Sequence, residues 1–118
     1  MIAFEVLLNG KRICIAGAED LCVLTADMTA TGKLGKKTVY EELLDDAVPE
    51  VQLHYSVSGL TRRRDPDRDV HLSWKSVRRL RVGDSLQVRV VEVRKADRPK
   101  SQVSAKEARR RLGKRKKA

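Results

Sequence analysis

The chain has 118 residues, 36% of them charged and only four aromatic, and carries a formal net charge of +10. That length holds one domain with a core of limited size, and no run approaches the roughly 18 apolar residues of a membrane span. The opening MIAFEVLLNGKR lacks a basic start and its apolar run is broken by Glu5, which speaks against a secretory signal; two cysteines without such a signal point to a reducing, cytoplasmic setting.

The elements read in chain order as follows. IAFEVLL and KRICIAG flank Asn9-Gly10, the residue pair that tolerates the positive φ angles of a type I′ turn, and so predict a hairpin. Alternation places Ile2, Phe4, Val6 and Leu8 on one face, with Ile13 and Ile15 on the returning strand. GAED turns the chain into LCVLTADMTA, a third strand rich in β-formers. TGKLGKKT (31–38) reads as a loop, and VYEELLDDAVPE as a short helix that Pro49 would close. VQLHYSVS alternates cleanly, with Val51, Leu53, Tyr55 and Val57 opposite Gln52, His54, Ser56 and Ser58. GLTRRRDPDRD (59–69) reads as a charged loop, VHLSW as a short strand, and RVGDSLQVRVVEV as a Gly-Asp turn into a last strand whose Val90-Val91 pair marks a bulge. Five or six short strands with at most one helix predict a mostly β protein, a small antiparallel sandwich or barrel over residues 1–93. An early hairpin followed by a helix also permits a β-grasp arrangement.

Charge and composition change abruptly after Val93. From Arg94 to Ala118 there are 12 basic residues against Asp97 and Glu107, a net of +10, while the 14 basic and 14 acidic residues of 1–93 cancel. RKADRPKSQVS has no apolar periodicity, so residues 94–118 read as a disordered basic tail beginning with a solvated linker. Within it SAKE, Ser104 to Glu107, has the spacing of a capping box, which predicts a short helix over 105–112 that is marginal on its own.

Motifs for chemistry are weak. TGKLGKKT has two residues where a phosphate-binding loop needs four between its glycine and the Gly-Lys-Thr, and the acidic segment after it would repel phosphate. Cys14, Cys22, His54 and His71 are scattered singly instead of in the close pairs of a zinc site. Neither histidine has a recognisable nucleophile elbow beside it. No enzyme, metal or cofactor is therefore expected. The basic runs are the specific signal. The tail, with TRRRDPDR and KSVRRLR (75–81), offers cations for several phosphates. Phe4, Tyr55 and Trp74 fall in core-facing rows and leave only Tyr40 for stacking bases, so any nucleic-acid contact is electrostatic and unspecific in sequence.

FEVLLNGKRICIAGAEDLCVLTADM and LSWKSVRRLRVGDSLQVRVVEVRKADRP resemble a set of small uncharacterised bacterial β-domain proteins. The shared pattern is Asn9, Gly10, Lys11, Cys14, Ala16 and Gly17, then Trp74, Leu80, Val82, Gly83, Asp84, Val88, Val90, Val91, Glu92 and Pro99. The resemblance implies a compact β-domain and no activity, and the long basic tail departs from it.

The expectation is a cytoplasmic, non-enzymatic binding module, an accessory subunit of a nucleoprotein assembly. Its body would contact a protein partner. Lys106, Arg109, Arg110, Arg111, Lys114, Arg115, Lys116 and Lys117 would contact nucleic-acid phosphates, with Arg62, Arg63 and Arg64 extending the footprint. The alternative is an immunity or adaptor protein that binds an acidic protein partner through the β-domain. No membrane or small-molecule substrate enters either reading.

Overall fold

A computed structural model of the chain describes residues 1–37, 51–104, 106, 107 and 110. Among these residues seven strands form two antiparallel sheets: β1 (Ile2–Leu8), β2 (Lys11–Ala16), β3 (Leu21–Thr31), β4 (Gln52–Thr61), β5 (Val70–Arg79), β6 (Leu86–Glu92) and β7 (Ser101–Ser104). The first sheet has the order β2-β1-β6, the second β3-β4-β5-β7. The expected mostly β architecture is present, and of the expected arrangements it is the one with two packed antiparallel sheets. The helix expected from VYEELLDDAVPE lies outside the described residues.

The first hairpin forms where its turn chemistry placed it. Asn9 and Gly10 both hold positive φ, 52° and 81°, as a type I′ turn demands. The Asn9 side chain then does a second job. Its Nδ2 donates to Asp84 Oδ1 (3.0 Å), and its Oδ1 accepts from the Ser85 N–H (2.8 Å). The hairpin tip is thereby pinned to the turn that leads into β6. That turn closes on itself through Arg81 N–H to Asp84 Oδ2 (2.7 Å) and Gly83 at φ 97°.

The core lies between the sheets and is built from Val6, Cys14, Ala16, Val57, Val70, Leu72 and Trp74, with Phe4, Ile13, Leu21, Leu24, Ala26 and Leu86 packed around it. The simple alternation of β1 does not survive intact. Ile2 is 68% exposed, whereas Ala3 is fully buried. The cause lies outside the hairpin: Gly17 packs on Ala3 so closely that a Cβ on it would sit 2.9 Å from that of Ala3, and Ala96 lies against the same glycine. The bulge expected at Val90-Val91 is also displaced. β6 pairs with β1 without a break from Ile2↔Glu92 to Leu8↔Leu86, and the irregularity falls in the β1–β2 ladder between Val6 and Leu7. Two further strands are longer than their patterns indicated. β4 runs on through Thr61, whose buried hydroxyl accepts from the Val70 N–H at 2.8 Å, and β5 continues past Trp74 to Arg79 through two register shifts against β4.

The largest departure concerns residues 94–104, expected as a solvated linker. They form a strap across the junction of the two sheets and then the strand β7. Val93 closes the β1–β6 end by exchanging hydrogen bonds with Met1, each 2.9 Å. Asp97 next docks on the free edge of β2: its N–H donates to the Ile15 carbonyl (2.9 Å), and its Oδ2 accepts from the Ile15 N–H (2.8 Å). The Asp97 carbonyl accepts from Trp74 Nε1 at 2.7 Å, and the Lys100 N–H reaches the Ser73 carbonyl at 2.7 Å. β7 then pairs with β5 from Ser73↔Ser101 to Val70↔Ser104. Backbone hydrogen bonding to two sheet edges orders this segment, and its side-chain pattern does not advertise it. The folded body thus extends past Val93 to Ser104.

Deletion of residues 94–118 removes the strap and leaves the Trp74 indole N–H without its acceptor, whereas deletion of 105–118 leaves both. The 1–93 chain is expected to lose its cooperative thermal transition or to melt far lower than the 1–104 chain, read by near-ultraviolet circular dichroism; equal melting would refute the strap. For Asp84, the Asn9 side chain foremost, with the Arg81 backbone and charge, holds the carboxyl below the ordinary carboxylate range against slight desolvation. A depressed folded-state pKa gives stability that is present above the ordinary value of about 3.8 and lost as pH falls through the folded-state value. Asp84→Asn should therefore flatten the acid limb of a Tm-against-pH curve below about pH 4, and an unchanged limb would show that the turn contributes nothing.

Candidate nucleic-acid interface

The strap changes where the charge sits. Arg94, Lys95, Arg98 and Lys100 against Asp97 add +3 to the folded body, and the eight basic residues of 105–118 against Glu107 keep +7. Ser104, the last residue of β7, starts the chain toward that second group. Its Oγ accepts from the Glu107 N–H at 3.0 Å, the serine half of the expected capping box. Lys106 and Arg110 are helical and exposed. The rest of the expected 105–112 helix, with Arg109, Arg111, Lys114, Arg115, Lys116 and Lys117, lies outside the described residues.

The body's cations divide into those already neutralised and those that are not. Glu5 holds both Arg12 (3.7 Å) and Arg89 (3.5 Å) across the outer face of the first sheet. In the 62–69 loop Arg63 is committed on both sides of its guanidinium, to Asp20 Oδ2 and to the Arg68 carbonyl, each 2.9 Å. Its own N–H goes to Asp69 Oδ1 at 2.6 Å. Asp65 caps the short 3-10 turn Pro66–Arg68 and sits 3.9 Å from Arg68. Of the three arginines expected to extend a phosphate footprint, Arg63 is therefore part of the loop's own framework. Arg62 and Arg64 are exposed, without a carboxylate within salt-bridge distance among the described residues.

Elsewhere the fold joins basic runs that are distant in sequence. Because β7 pairs with β5, the 94–100 strap comes to lie beside Lys75. Together Ile13, Cys14, Trp74, Lys75, Asp97, Arg98 and Lys100 line a crevice of about 360 Å³ at the seam of the two sheets. Directly opposed strand residues share a face, so Lys75↔Val57 and Arg78↔Tyr55 put both cations on the core-facing side of the second sheet. Burial pushes the Tyr55 phenol up, and Arg78 beside it opposes the rise. Sequence reading counted these cations without seeing that they meet; the register between β5 and β7 makes the connection.

The opposite face of the same sheet has another character. Thr25, Ser58, Ser73 and Ser101 stand in one cross-strand row over all four strands, next to a row of Val23, Leu60, His71 and Val103. Farther along are Asp27 with Ser56, and Thr29, His54 and Arg79. This face has few charges in a chain where 36% of residues are charged. His54 and His71 belong to it, Cys22 is exposed with its Sγ donating to the Leu60 carbonyl (3.4 Å), and Cys14 is in the core. Among the described residues these four do not gather into a ligand set. No described helix is long and apolar enough to cross a membrane. No family model, curated protein or solved structure matches the chain at a significant level.

The two thiols are expected to differ in reactivity. Burial pushes the Cys14 thiol up, Lys75 works against that and Asp97 with it, so it stays protonated near neutrality. A disulfide reagent at pH 7 should modify Cys22 promptly and Cys14 only after denaturant is added, giving one fast equivalent by absorbance. Two fast equivalents would mean that the seam opens readily.

Proposed function

We propose that this chain is a non-enzymatic binding module, an accessory subunit of a nucleoprotein assembly, whose cationic C-terminal segment grips nucleic acid while its β body meets a protein partner. The observation that supports this is the segregation of charge. Residues 1–93 balance to zero, and the whole excess of +10 follows them, first along a strap fixed to the body and then along a stretch launched from Ser104.

The physics of the contact is counterion release. Each cation that neutralises a phosphate frees a condensed counterion, so affinity falls steeply with salt. Lys106, Arg109, Arg110, Arg111, Lys114, Arg115, Lys116 and Lys117 are the cations for this task, with Arg62 and Arg64 on the body. Trp74 and Tyr55 are 1% and 6% exposed and give no platform for stacking bases, so the contact reads backbone and not sequence.

A second reading is favoured by the hydroxyl-rich outer face of the second sheet. A face with few charges suits a protein partner, as in an adaptor or immunity protein, and under that reading the tail is incidental. The two are separated by fluorescence anisotropy with labelled RNA and labelled duplex DNA from about 50 to about 300 mM salt. The full chain is compared with a variant whose eight tail cations are changed to glutamine. The full chain should lose about 10³–10⁵ in affinity by 200 mM if roughly 6–10 phosphates are contacted, and the variant should bind weakly throughout. Equal binding by both chains, or none by either above about 150 mM, would sink the nucleoprotein reading.

A further inference from the structure

We infer that the seam crevice walled by Lys75, Arg98 and Lys100 is a phosphate site of the folded body, which receives the backbone of a nucleic-acid strand and leads it toward the tail. The inference rests on the reading that the ligand is nucleic acid, and adds a site on the body that the basic tail alone does not supply.

Three features carry it. The first is unspent charge in a concave place. Lys75, Arg98 and Lys100 have no carboxylate within salt-bridge distance among the described residues, unlike Arg12, Arg63, Arg68 and Arg89. Among the described residues Asp97 is the single acid in the wall, and its carboxylate already accepts from the Ile15 N–H. The wall therefore keeps a net +2, and a concave rim focuses that field better than a flat surface would.

The second feature is that the backbone of the wall is fixed before a ligand arrives. Lys75 stands on β5, while Arg98 lies between the Asp97 clamp and the Lys100 N–H bond to Ser73. Less ordering entropy is lost on binding than for a free tail. The third is that the crevice is one stop on a track. Arg78 continues it along the core-facing side of β5, and β7 carries it the other way. Four residues of strand from Lys100 to Ser104 span about 13 Å, beyond which stand Lys106 and Arg110. An extended polyanion fits such a track, whereas a lone phosphate would use only its middle. With the indole of Trp74 buried behind the wall, the site offers charge and no base-stacking surface.

The test uses the full chain, a labelled single-stranded 20-mer and one triple variant, Lys75→Gln with Arg98→Gln and Lys100→Gln. A charge-matched control carries Lys11→Gln, Lys36→Gln and Lys37→Gln. Both must melt like the parent. The crevice variant should bind about tenfold more weakly near 150 mM salt, and its log K against log salt slope should be shallower by about 2, as three lost phosphate contacts on a single strand require; the control should keep the parental slope. The single tryptophan provides a second reading, because its indole N–H resonance reports on the wall directly and should shift when the 20-mer is added. Variant and control with the same slope, or an indole resonance that the 20-mer leaves unmoved, would overturn the site. Saturation of the indole shift by inorganic phosphate alone, with no competition from the 20-mer, would overturn it in favour of a small phosphorylated ligand. The tail reading fails separately, if tail neutralisation costs nothing while the crevice variant loses affinity. No binding of the 20-mer by the parent chain overturns both.

Discussion

One aspartate holds the two sheets in register. The backbone and carboxylate of Asp97 satisfy both the N–H and the carbonyl of Ile15 at the edge of the first sheet, and its own carbonyl takes the indole N–H of Trp74 from the second. Trp74 is 1% exposed and belongs to the core, so its N–H needs an acceptor or costs about 1–3 kcal/mol to leave unmade. The body of the indole holds the core while its polar edge fixes the strap. Everything downstream, from Lys100 against Ser73 to the pairing of β7, depends on the chain having been delivered to that point.

The same clamp explains how the protein treats its edges. An exposed row of unpaired backbone groups invites pairing with another chain. The free edge of β2 is capped at Ile15 by Asp97, and the first half of β5 is covered by β7. Beyond Ser73 the outer edge of β5 has no strand beside it among the described residues, and there the sequence places Lys75, Arg78 and Arg79. Positive charge on that half-edge discourages strand addition, and Lys75 and Arg78, on its core-facing side, would also line the proposed track toward the seam.

Much of the fold was legible because local chemistry determined it. Asn9-Gly10 admits few turns, and the alternation through Tyr55 and Val57 admits one buried face. What escaped was decided at long range. Ala3 is buried where Gly17 packs against it, which no pattern within β1 contains. β7 forms from SQVS, four residues with one apolar side chain, because the strap brings them to the open half of β5. In the candidate interface the eight tail cations and the basic runs were plain in the sequence, yet composition does not distinguish a spent arginine from a free one. Arg63 between Asp20 and the Arg68 carbonyl and Lys75 beside Arg98 become different residues only when partners are known.

The placement of the strap would also tie the proposed binding to folding. Among the described strands β7 is the shortest, it forms one side of a single ladder, and it is the point from which the positive segment departs. A polyanion that engages the crevice and the tail together touches the chain on both sides of β7. By linkage, any ligand that binds only the state in which the strap is docked stabilises that state in proportion to its occupancy. The hydroxyl face made by Thr25, Ser58, Ser73 and Ser101 looks away from the core-facing cations of the same sheet. Occupation of the seam by a nucleic-acid backbone would therefore leave that face open to a protein. The two readings of the body compete as accounts of its purpose, but not for the same surface.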